Sequence, residues 1–137
     1  MKKEINLSNY NTLLEKMHDE TITRIVVKND TLSLYIDELH FSEEYTKAEL
    51  MFLGFEDIYS DVYFEFFTTD KLKISGNTVY LDDFFNNKDY SLLQFEIVDI
   101  FSSFQNAYIK GSAKNNTGYV FYFNLYINAK FLTLSFS

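Results

Sequence analysis

The stretch that decides the fold is YVFYFNLYIN, Tyr119 to Asn128. In an extended chain Tyr119, Phe121, Phe123, Leu125 and Ile127 share one face, and Val120, Tyr122, Asn124, Tyr126 and Asn128 share the other. An alternation of period two marks a strand with one buried side. The first face reads as core. The second mixes Tyr with Asn and suits a half-exposed surface, where Tyr buries area but keeps a polar handle. Ala107 to Ala113 precedes this stretch and Lys130 to Phe136 follows it, so the C-terminal third reads as a three-strand meander. Its turns fall at Lys114 to Gly118 and near Asn128 to Lys130.

The same signal runs back through the chain. Thr21 to Lys28 is rich in β-branched residues, and Thr31 to Asp37 sets Leu32, Leu34 and Ile36 on one face. Asn29-Asp30 between them suits a two-residue hairpin turn. Lys47 to Phe55 and Asp61 to Phe67 read as further strands, and Lys71 to Ser75 and Thr78 to Asp82 flank a Gly76-Asn77 turn. Asp83 to Asp89 is a polar, Asn-rich loop. Leu92 to Phe104 fits either a strand or a helical stripe, and its β-branched and aromatic content favours the strand. Leu7, Tyr10, Leu14 and Met17 recur at helical spacing, and Thr12 with Glu15 forms a capping box, which predicts a short helix ending at Met17. The expected architecture is mainly β, with about nine strands and a short N-terminal helix in a single domain over residues 1–137. An antiparallel sandwich, a partly open barrel and a curved sheet all satisfy the pattern.

Composition supports this reading. The 137 residues include 15 Phe and 11 Tyr, residues that favour pleated, half-buried surfaces. A net charge of −8 opposes general binding to nucleic acid and would attract a basic protein surface. With no Cys there is neither disulfide nor thiolate chemistry. The start, Met1-Lys2-Lys3-Glu4, leads into a polar stretch rather than the apolar core of a signal peptide, and no apolar run reaches membrane-spanning length. A cytoplasmic location is the expectation.

Candidate chemistry is sparse. His18-Asp19 resembles half of a metal-binding pair, but a metal needs a full ligand set and His40 is the only other His. The structural alternative has Asp19 in a turn and His18 packing or hydrogen-bonding at the strand entry. Acid pairs occur at Asp37-Glu38, Glu43-Glu44, Glu56-Asp57 and Asp82-Asp83. Adjacent residues on a strand point to opposite faces, so none forms the facing carboxylates that acid–base hydrolysis uses. They read instead as a solvated acidic rim. No nucleophile elbow, calcium loop or phosphate cradle is present. Neither a cofactor nor an enzymatic activity is expected.

One resemblance rests on an ordered series in the N-terminal third. It comprises His18-Asp19 with Ile22 and Ile25 (HD-x-x-I-x-x-I), the Leu32, Leu34, Ile36 hairpin strand, and Leu50-Met51-Phe52-Leu53-Gly54-Phe55. Leu14 to Phe55 resembles small bacterial β-rich immunity proteins encoded beside polymorphic or contact-dependent toxins. The resemblance implies a cytoplasmic protein that binds and blocks a toxin domain, with no catalytic residues. On that reading Asp37, Glu38, Glu43, Glu44, Glu56 and Asp57 steer a basic partner, while Tyr122, Tyr126 and Tyr35 anchor it. The alternatives are a small-ligand module with an aromatic-lined pocket and a homo-oligomeric structural protein; sequence does not fix the oligomeric state.

Overall fold

A computed structural model describes residues 2–6, 12–56, 60–67, 73–80, 94–103, 106–114 and 120–137, with side chains at 14–56, 60, 95–100, 106–112 and 124–137. The order of elements is β1 (Lys2–Asn6), α1 (Thr12–Glu15), β2 (Thr21–Ile22), β3 (Arg24–Lys28), β4 (Thr31–Ile36), β5 (Ala48–Leu53), β6 (Asp61–Phe67), β7 (Lys73–Tyr80), β8 (Gln94–Ser103), β9 (Asn106–Lys114), β10 (Val120–Asn128) and β11 (Phe131–Phe136). They form two open antiparallel sheets. One has five strands in the order β1-β11-β5-β4-β3, the other six in the order β2-β8-β9-β10-β6-β7. Neither closes into a barrel. No described helix is long and apolar enough to cross a membrane.

Period-two alternation builds the core. In the five-stranded sheet the rows Leu32–Phe52–Leu132 and Leu34–Leu50–Leu134 line up across β4, β5 and β11. All six side chains are fully buried. In the other sheet Ile100, Ile109 and Leu125 form a matching row across β8, β9 and β10. Both sets belong to one continuous cluster, so the inner faces share a core. Leu14 of α1 and Met17 of the turn after it join that cluster; the helix ends at Glu15 rather than at the predicted Met17, and Leu7 and Tyr10 of the predicted stripe lie outside the described residues.

Four sequence expectations change. Thr21 to Lys28 is two strands in different sheets. The chain crosses at Thr23, whose N–H donates to the Tyr35 carbonyl. Lys73 to Tyr80 is one strand through Gly76 and Asn77, because pairing with Glu65 and Phe64 of β6 outweighs the turn preference of that dipeptide. β11 leaves the expected meander: β9 and β10 pair, but β11 lies between β1 and β5 of the other sheet. The crossover is short. Ala129 is buried, and the Lys130 N–H donates to the Leu53 carbonyl. Finally, β1 adds a strand that a polar stretch with one apolar residue, Ile5, does not announce. β8 resolves the ambiguous segment in favour of a strand, with a bulge between Ile97 and Asp99. Asp83 to Asp89 and the turn at 115–118 lie outside the described residues.

Candidate protein-binding surface

Residues 37–47 connect β4 to β5 and carry four of the predicted steering acids. Asp37, Glu38, Glu43 and Glu44 are all exposed. This segment is a packed loop. Leu39 is buried, and its N–H donates to the Thr46 carbonyl at 2.8 Å. Phe41 meets Phe136 edge-on with ring centroids 6.1 Å apart, and Tyr45 lies 5.8 Å from the same ring. The Ser42 hydroxyl accepts the N–H groups of Glu44 and Tyr45. The C-terminal Ser137 carbonyl accepts those of Thr46 and Lys47.

Glu20 holds the loop from beneath. Its side chain is 2% exposed, and its Oε1 accepts the N–H of His40 at 2.9 Å and of Phe41 at 3.0 Å. Its Oε2 lies 3.2 Å from His40 Nδ1. A buried carboxylate is tolerated only when its oxygens are satisfied, and here the loop backbone satisfies them. Sequence reading passed over Glu20, although Asp19-Glu20 is itself an adjacent acid pair. The available signal was the alternation that puts Glu20 on the same face as Ile22, the core face. Tyr45 ionises above its ordinary range, chiefly because it hydrogen-bonds to Glu44 and secondarily because of partial burial and the Glu44 charge.

Tyr35 stands at the same end of the five-stranded sheet, on its outer face. The Arg24 guanidinium lies 4.0 Å over its ring, and Glu49 is its cross-strand neighbour. Asp37 accepts a 2.8 Å hydrogen bond from the Thr23 hydroxyl. Thr23 thus ties Tyr35 to Asp37, and Glu38, Glu43 and Glu44 follow on the exposed loop at the same end of the sheet. Beside it, Val26, Lys28, Thr31, Ser33, Tyr35 and Met51 line most of an open concavity of about 330 Å³.

Of the other proposed residues, Glu56 and Tyr126 do not join this surface. The Phe55 N–H donates to Asp30 in the β3–β4 turn, which puts Glu56 at the opposite end of β4, roughly 20 Å away along a six-residue strand. Tyr126 lies on the outer face of the six-stranded sheet. There its hydroxyl donates to Asn106 Oδ1 at 2.8 Å and its ring makes an edge contact with Tyr108. Tyr122 sits in β10 opposite Ser112 and Glu65, but its side chain, like the whole of Asp57, lies outside the described residues. A single interface spanning Tyr35 and Tyr126 would have to reach outer faces of two different sheets.

His18 and Asp19 pair with each other. Nδ1 to Oδ2 is 3.0 Å, both side chains are largely exposed, and Asp19 takes a left-handed φ of 69° in the turn before β2. Among the described residues no group of three or more His, Asp and Glu could hold a metal ion. Compared with protein-family models, curated proteins and solved structures, the chain matches none of them.

Proposed function

We propose that the chain is a non-enzymatic protein-binding domain that neutralises a basic bacterial toxin domain in the cytoplasm, in the manner of the immunity proteins its N-terminal third resembles. The observation that carries this reading is the acidic 37–44 segment, fixed by Glu20 and set beside Tyr35. Exposed acids raise the rate of encounter with a basic surface, and a neighbouring aromatic side chain supplies burial once contact is made. A loop already held in shape loses less entropy on binding.

The test is capture of the tagged full chain's partners from its native host, followed by mass spectrometry. The expected result is a basic protein that halts growth when expressed alone and is silenced by co-expression of this chain. A captured basic protein whose toxicity persists on co-expression would contradict the neutralising role. A second reading, a small-ligand module, draws on the concavity beside Tyr35, where Val26, Tyr35 and Met51 give apolar lining and Ser33 and Glu49 give polar groups. A small molecule that co-purifies and shifts the amide resonances of these residues would favour it.

A further inference from the structure

β3 ends the strand order of the five-stranded sheet, and among the described residues no strand lies beyond it. Its ladder with β4 pairs Lys28 with Thr31, Val26 with Ser33 and Arg24 with Tyr35. The Asn29-Asp30 turn closes the ladder, with a positive φ of 56° at Asn29. Residues flanking a two-residue turn exchange backbone hydrogen bonds, and bonded pairs then alternate along the ladder. The N–H and C=O groups of Ile25 and Val27 therefore face the open side of the sheet. Arg24, Val26 and Lys28 alternate with them along the outer face, and all three are exposed. Arg24 is already positioned by its contact with the Tyr35 ring.

This edge reads basic–apolar–basic on a chain whose net charge is −8. We propose that β3 is a docking edge for an extended segment of another protein with an acidic–apolar–acidic alternation, which adds as a new outer strand of the five-stranded sheet. Main-chain hydrogen bonds to Ile25 and Val27 give the affinity. Opposite charges across from Arg24 and Lys28, with an apolar side chain across from Val26, give the register. A second copy of this chain does not fit: two β3 strands meeting antiparallel about Val26 set Arg24 against Lys28 on both sides. Basic residues on an edge thus block self-pairing and select an acidic strand. The occupant differs in charge from the basic partner of the 37–44 segment, so either proposal stands or falls without the other.

The test uses the isotopically labelled full chain and a capped synthetic peptide with Glu, Val and Glu at alternate positions and Thr between them. At millimolar peptide, amide shifts are expected at Ile25, Val27 and their neighbours in β3. A peptide with Lys in place of Glu should give none, and N-methylation of the peptide amides that face β3 should abolish the effect. The double variant Arg24→Glu, Lys28→Glu changes only exposed side chains, and should weaken binding about tenfold. Absence of β3 shifts at millimolar peptide would overturn the proposal, as would equal binding of the Lys peptide. Shifts confined to residues 37–44 would also overturn it. β3 signals that change with protein concentration alone would give the edge to a second copy instead.

Discussion

Glu20 is the residue on which the acidic surface depends. Its carboxylate satisfies two loop N–H groups and faces His40 from a buried position. Glu20→Ala leaves those N–H groups without their acceptor, which costs about 1–3 kcal/mol. Urea denaturation should show that loss, and hydrogen exchange at His40 and Phe41 should accelerate selectively. Unchanged exchange at those two amides would show that the loop is held by something else. Tyr45 gives a pH test of the same segment. Its raised pKa means that the Glu44–Tyr45 contact favours the fold below the ordinary Tyr value of 10.0 and is lost as pH rises through the higher folded value. Ultraviolet titration should find Tyr45 ionising after an unperturbed Tyr, and Glu44→Gln should return it toward the ordinary value. The four acids of this segment were legible in the sequence as adjacent pairs. Glu20 stood beside Asp19 and on the face of Ile22, but its role was hidden, because its partner His40 is twenty residues away and only the fold brings the two together.

At the scale of elements, alternation revealed most strands and turn chemistry revealed only some of the breaks. β6 has the predicted bounds, β4 and β10 differ from prediction by one residue at one end, and β5 is shorter by one residue at its start and two at its end. The misreadings came where a long-range pairing overrode a local preference. Gly76-Asn77 has turn chemistry but lies inside the β6–β7 ladder. The bend at Ala129-Lys130 resembles a hairpin but carries the chain between sheets. That crossover makes its own predictions. Ser60 is buried, donates its hydroxyl to the Glu56 carbonyl and accepts the Asn128 N–H. Ser60→Ala should cost about 1–3 kcal/mol in chemical denaturation. Gly54 has a φ of +68°, and a Cβ there would come within 2.9 Å of the Lys130 stem. Gly54→Ala should therefore destabilise by about 1–2 kcal/mol. Adding Lys130→Ala should recover the contact part of that loss and leave the backbone part. Full recovery would mean that φ is not the constraint.

Across the whole molecule, the two sheets sort the sequence's surface candidates into separate places. Tyr35 and four acids share one end of the five-stranded sheet, Glu56 lies at the other end, and Tyr126 belongs to the outer face of the six-stranded sheet. Strand alternation predicted which side chains point outward but carried no information about which outward faces coincide. The segregation fixes the design of the binding experiment. Neutralising Asp37, Glu38, Glu43 and Glu44 to their amides should slow association with a basic partner about tenfold or more at low salt, with little change at high salt. Tyr126→Ala should leave association unaltered. The most direct measurement is parallel capture from the host lysate with three baits: the wild-type chain, the four-amide variant carrying Tyr35→Ala, and Tyr126→Ala. The account predicts a basic protein held by the wild type and by Tyr126→Ala and absent from the combined variant. The same basic protein held equally by all three baits would contradict it.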